Sequence, residues 1–206
     1  MPALRNFKPF FVNSNLSIGN VRCSDADGLL RNAAGNTGNS YITYSLIKST
    51  VGDLSGISHI PNIYEYDFKN ADRDAEKVKG EYTHVFLILQ DQIRIEESYN
   101  LRLPYEGIIS LLKKCGKPVV VAGLGANSFG GFDANFHKML NPQLIRFLKE
   151  LSDLCPNIGI RGEFTSEVLK KLGIRNTQII GCPSFFETGP NRVVKKPDFQ
   201  NLKPVL

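Results

Sequence analysis

The sequence predicts an α/β fold, a mostly parallel sheet flanked by helices, and three observations predict it. Residues 85–89 (V-F-L-I-L) and 119–122 (V-V-V-A) are short, nearly all-apolar runs that stop at a polar residue or a glycine. Such runs suit strands buried on both faces. Two other segments repeat their apolar residues at helical spacing: Ile108, Ile109, Leu111 and Leu112 in one, and Leu144, Phe147, Leu148, Leu151 and Leu154 in the other. Strand and helix signals therefore alternate, which is the βαβ rhythm of a doubly wound sheet.

Taken in order, residues 10–16 read as an edge strand and residues 20–34 as a loop rich in Asp, Asn and Gly. A glycine-bearing turn at 35–39 runs into a segment with Tyr41, Tyr44 and Ile47 at helical spacing. After the strand at 85–89, a helix is expected over 104–114, with Pro104 at its first position, where a fixed φ and a missing N–H cost nothing. The strand at 119–122 is followed by a helix over 142–154, capped by Asn141 and stopped by Pro156. A strand at 158–160, a helix over 164–172 and a strand at 177–180 complete the alternation. Beyond Glu187, Pro190, Pro197 and Pro204 stand among charged residues without a period, as in a linker or extended arm. The expected division is one α/β domain over 1–187 and a tail over 188–206.

At 42% hydrophobic, 22% charged and 10% aromatic residues, the chain has the composition of an ordinary globular protein. No apolar run approaches the roughly 18–20 residues a membrane span needs. The opening residues 1–12 lack a signal-peptide apolar core and cleavage site. Cys23, Cys115, Cys155 and Cys182 are scattered, with no C-x-x-C pair and no histidine cluster beside them. That pattern argues against a disulfide framework or a metal site and for a reducing cytoplasm. The net charge of +5 favours anionic ligands, but the basic residues are spread along the chain, so no nucleic-acid partner is expected.

Ligands of open α/β sheets bind just past the carboxyl ends of the strands, and several candidates fall there. At 35–39 (G-N-T-G-N), a glycine-rich turn entering a helix offers N–H groups and the positive dipole end, making Gly35, Asn36, Gly38 and Asn39 ligand candidates. The plain alternative is a loop in which Asn39 caps the helix. At 123–128 (G-L-G-A-N-S), Ser128 replaces the third glycine of a dinucleotide fingerprint and no helix opening follows, so no nicotinamide or flavin is expected. Gly125, Asn127 and Ser128 remain candidates for hydrogen bonding to a ligand, the alternative being a plain turn that needs small residues.

Arg161 ends the strand at 158–160. Its guanidinium carries five fixed donors and a permanent charge, which suit a phosphate or carboxylate. A surface position, a salt bridge to Glu163 or packing on Phe164 would each be a structural reading. In the turn at 181–184 (G-C-P-S), Ser184 is a hydroxyl donor, whereas nothing nearby activates Cys182, which reads as a small buried apolar residue. Of the three histidines His59, His84 and His137, His84 begins an apolar strand and reads as structural. His137, just past the glycines at 130–131, is the candidate acid.

Arg161 after its strand, the helix from Thr165 to Gly173 with its leucines Leu169 and Leu172, and the closing turn from Gly181 to Ser184 together resemble the polysaccharide pyruvyltransferase family. The stretches at 35–39 and 123–128 match the family in the same order, so the resemblance runs from Gly35 to Glu187. It implies one half of a GT-B fold, in which two Rossmann-like domains face each other across a cleft. Each such domain takes on the order of 150 residues or more, so this chain is expected to hold the N-terminal one.

The implied reaction transfers the pyruvyl group of phosphoenolpyruvate to two hydroxyls of a sugar, giving a cyclic ketal in a cell-surface polysaccharide. The implied partners are phosphoenolpyruvate and a sugar or lipid-linked saccharide acceptor, without a cofactor and with room for a homo-oligomer. The donor's anionic groups need cationic or N–H partners, a general acid must protonate the methylene carbon, and a base must take the hydroxyl proton. The resemblance marks Arg161 as essential and places the family's catalytic histidine in the second domain. Asn127 and Ser128 would then face acceptor sugar or anion. Two other readings stay open: a non-catalytic carbohydrate- or anion-binding module completed by another chain, and an unrelated Rossmann-type small-molecule enzyme.

Overall fold

In the computed structural model, which describes residues 6–14, 37–52, 57–95, 104–128, 133–189 and 193, the strands run parallel in one sheet. They are β1 (Pro9–Val12), β2 (His59–Ile60), β3 (His84–Leu87), β4 (Val119–Leu124), β5 (Ile158–Ile160) and β6 (Thr177–Ile179), in the spatial order β2-β1-β3-β4-β5-β6. The helices are α1 (Thr37–Thr50), α2 (Ala71–Glu81), α3 (Tyr105–Cys115), α4 (Pro142–Leu154) and α5 (Glu163–Lys171). The α/β reading, with a mostly parallel, helix-flanked Rossmann-like sheet, is what the chain adopts.

Pleating sends alternate residues of each strand to opposite faces, and both faces are buried along the inner strands β1, β3, β4 and β5, whereas the edge strand β6 is largely exposed. Phe10 and Val12, Val85 and Leu87, Val119 and Val121, and Ile158 and Ile160 meet the apolar stripes of α2, α3, α4 and α5. Phe11, Phe86, Ile88 and Ala122 meet Leu46 and Ile47 of α1 instead. Four helices thus cover one face, while α1 and the 3-10 turn Pro183–Thr188 cover the other. Cys115 and Cys155 are buried in the larger core, and desolvation pushes their thiols up to about 11 and about 12, which leaves both unreactive near neutral pH.

Three expectations are corrected. The N-terminal strand is not at the edge: β1 lies between β2 and β3, with Phe11 opposite both His59 and Phe86. The edge position belongs to β2, whose two residues are too short to show a period. Pro104 is the residue before α3 rather than its first residue, because its ψ of 66° is not helical. Cys182 is half-buried instead of fully buried, since it caps the 3-10 turn at the end of the sheet. The loop expected at 20–34 lies outside the described residues, as does all of 190–206 except Val193.

Asn141 caps α4 as its sequence suggests, its Oδ1 accepting from the Gln143 N–H at 2.8 Å. Asn141→Ala is expected to destabilise the protein by about 1 kcal/mol. An unchanged midpoint in urea unfolding would contradict that role.

Candidate functional site

The strand order reverses direction once: the chain moves from β1 outward to β2, then crosses back to β3 and continues to β6. The carboxyl ends of β1 and β3 therefore form the switch point at which α/β sheets open a crevice. Pairing between β3 and β4 continues past the regular strands here. The Ile93 N–H donates to the Gly125 carbonyl at 3.1 Å and the Asn127 N–H to the Ile93 carbonyl at 2.9 Å. Gln90, Asp91 and Gln92 make the intervening turn, and Gln90 holds a left-handed φ of 46°.

The three motif stretches interlock at this edge. Arg161 donates its backbone N–H to the Leu124 carbonyl at 2.9 Å and its Nε–H to the Gly123 carbonyl at 2.8 Å. Thr165, in the first turn of α5, receives the Ala126 N–H on its hydroxyl at 2.9 Å. Pro183 packs so closely on Gly123 that a Cβ there would stand 2.6 Å from Pro183 Cδ. At Gly125, a Cβ would meet Arg161 Cδ at 3.1 Å and the Gln90 carbonyl oxygen at 3.3 Å. The glycines at 123 and 125 are thus the floor on which the arginine lies and against which the G-C-P-S turn closes.

A cavity of about 430 Å³ opens above that floor, lined by Gly38, Asn39, Tyr41, Ile42, Asp91, Arg161, Ser184 and Phe185. Its wall is clamped. Glu187 of the 3-10 turn accepts from the Tyr41 hydroxyl, and from Lys48 Nζ at 3.0 Å, which ties the turn to α1. The hydrogen bond to Glu187 holds the Lys48 ammonium above its ordinary range. Arg161 is half-buried and, among the described residues, forms no ion pair; Glu163 does not reach it. Its Nη2 is buried without a partner. A buried N–H of a cation left without an acceptor is costly, so the guanidinium is held by Nε with its far edge committed to no protein group.

Of the residues singled out in sequence, Gly38, Asn39, Arg161 and Ser184 line this one cavity. Asn39 does not cap a helix, because α1 begins at Thr37 and takes both Gly38 and Asn39 into its first turn. Gly125 touches Arg161, and Asn127 donates from Nδ2 to Asp91 Oδ2 at 3.4 Å, so both support the lining. Ser128 is half-buried next to Asn127 but is not among the lining residues. Ser184 donates its hydroxyl to Cys182 Sγ at 3.2 Å. Gly35 and Asn36 lie outside the described residues. His137 sits in the 3-10 turn Phe136–Met139, its Nδ1 buried without a partner, and is not among the residues lining the cavity. His59 Nδ1 lies 2.6 Å from Ser14 Oγ, but Ser14 is fully buried and suits no nucleophile.

Asp91, Tyr41 and Phe185 were not found as site residues from sequence. Asp91 had a usable signal, since it follows the apolar run of β3 by the same rule that picks out Arg161. Tyr41 shows only as part of a helical period, and Phe185 only as a residue after a turn.

A family model, polysaccharide pyruvyl transferase, matches residues 36–205. The chain belongs to the polysaccharide pyruvyl transferase family. Neither curated proteins nor solved structures show a match to it. The match takes in α1, with Gly38 and Asn39, together with the 123–128 loop, Arg161 and the G-C-P-S turn, so every described element that walls the cavity belongs to the pyruvyl transferase portion. It also extends past Glu187 into the proline-bearing tail. No described helix of this family member is long and apolar enough to cross a membrane.

Proposed function

We propose that this pyruvyl transferase binds phosphoenolpyruvate in the cavity at the carboxyl edge of the sheet, for transfer of its pyruvyl group to a sugar of a cell-surface polysaccharide. The observation that carries the reading is the Arg161 guanidinium, fastened through Nε to the Gly123 carbonyl while Nη2 remains buried and without a partner. A terminal Nη edge can take two oxygens of a phosphate or carboxylate by parallel bonds. The N-terminal end of α1, which contributes Gly38 and Asn39 to the lining, adds positive potential at the same place. Ser184 and Asn127 supply further polar groups around the donor.

In this reading, residues 1–187 form the donor-binding domain and 188–206 are a linker or extended tail. Acid catalysis at the methylene carbon belongs to a group outside the cavity described, and His137 has no assigned part in the donor contacts. The acceptor is a free or lipid-linked saccharide, and the cytoplasm, where phosphoenolpyruvate is made, is the proposed compartment. Calorimetry on the full chain tests the donor. Phosphoenolpyruvate is expected to bind more tightly than inorganic phosphate or pyruvate, because the cavity engages both of its anionic groups. Equal affinities for phosphate and phosphoenolpyruvate would remove the donor assignment.

A further inference from the structure

The lining of the cavity also holds a group of opposite chemistry. Arg161 offers donors only, whereas Asp91 is a carboxylate and offers acceptors only. Gln90 and Gln92 on either side of it are buried, at 5% and 2% exposure, while the Asp91 side chain keeps 30% of its surface. The left-handed turn at Gln90 is what sets this alternation, and a non-glycine residue in that region costs free energy that the surrounding contacts must offset.

Both neighbouring donors converge on one oxygen of Asp91. Arg94 forms an ion pair with Oδ2, and Asn127 Nδ2 approaches the same atom at 3.4 Å. Arg94 Nε also donates to the Asp91 carbonyl at 3.0 Å, which fixes the turn beneath the side chain. Oδ1 has no partner among the described residues. A carboxylate so held repels the anionic donor and accepts from a hydroxyl. The same cavity presents two aromatic rings to solvent, Tyr41 at 46% and Phe185 at 52% exposure. Exposed aromatic faces beside a fixed acceptor suit the apolar C–H face and the hydroxyl rim of a pyranose.

We propose that Asp91, Tyr41 and Phe185 form a saccharide subsite in which Asp91 Oδ1 accepts a hydrogen bond from a hydroxyl of the acceptor sugar. The assignment rests on the donor reading above for its biological meaning, though saccharide binding itself does not depend on it. Asp91 is a positioning residue here: it sets which hydroxyls of the sugar face the donor bound at Arg161.

The test uses the full chain with methyl β-D-galactopyranoside, methyl β-D-glucopyranoside and methyl α-D-mannopyranoside as probes, followed by ligand-observed NMR titration. At least one glycoside is expected to bind at millimolar concentration. Asp91→Asn keeps the side-chain shape and should weaken that binding roughly ten- to hundredfold, while phosphoenolpyruvate affinity is unchanged or higher. Phe185→Ala, a change at an exposed position, should weaken the glycoside and spare phosphoenolpyruvate. Thermal melts show that both variants remain folded. Glycoside affinity unchanged in Asp91→Asn, parallel loss of glycoside and phosphoenolpyruvate, or no glycoside bound by the wild type would each overturn the subsite. Glycoside binding that depends on Asp91 in a chain that does not bind phosphoenolpyruvate would instead uphold the subsite and end the donor reading.

Discussion

Arg161→Lys is expected to lower the affinity for phosphoenolpyruvate by roughly ten- to hundredfold, the loss typical of a charge-assisted hydrogen-bonded pair. The charge is kept, so a purely Coulombic site would tolerate the change. Arg161 offers two parts of one planar group: Nε donates to the Gly123 carbonyl at 2.8 Å, and Nη2, buried without a protein partner, is the edge proposed to take the oxygens of the donor. A lysine ammonium is a single point with rotating donors, and it cannot serve the carbonyl and an oxyanion pair in fixed relative geometry. Calorimetry on wild type and variant, with thermal melts alongside, measures the effect. Equal affinities at matched stability would assign Arg161 to structure and leave the cavity without its anion-binding group.

Gly123→Ala should be the most destabilising single-methyl change at the site. Gly123 has a φ of 77°, a left-handed conformation that costs an L residue about 1–2 kcal/mol. The added Cβ would also lie 2.6 Å from Pro183 Cδ and 2.8 Å from Pro183 Cγ, ring atoms that cannot swing aside. Overpacking of that kind typically costs about 1–3 kcal/mol, so a combined loss of about 2–5 kcal/mol is expected from urea unfolding. Relief by movement of Pro183 would carry Ser184 with it, so phosphoenolpyruvate binding should fall in the fraction that remains folded. Wild-type stability in this variant would show that the contact between the two motifs is not tight in solution.

Those motifs were visible in sequence because strand ends and glycines are local signals. The runs at 85–89 and 119–122 predicted strands that the chain forms as His84–Leu87 and Val119–Leu124, since burial on both faces leaves no polar alternation to confuse. The helix capped by Asn141 has the expected bounds because cap, period and stop all agree. α2 escaped notice: its buried face is only Ala71, Ala75 and Val78 amid charged residues, a stripe too thin to stand out. β2 gains its identity wholly from the backbone of β1, so nothing local announces it. The grouping of Gly38, Asn39, Arg161 and Ser184 followed from the carboxyl-end rule. Asp91 obeyed that rule too, but its partner Asn127 becomes a neighbour only once β3 and β4 extend past their regular ends.

The place of β1 bears on how this chain can be divided. The family match starts at residue 36, whereas β1 spans Pro9–Val12 and sits inside the sheet, with hydrogen-bonded neighbours on both sides. A boundary drawn where sequence kinship begins would therefore cut away an inner strand, not a flanking arm. β2 would keep no partner strand, the ladder edge of β3 would stand open, and Phe86 would lose Phe11 from the smaller core. In this protein the stretch recognised by similarity and the sheet it belongs to have different first residues.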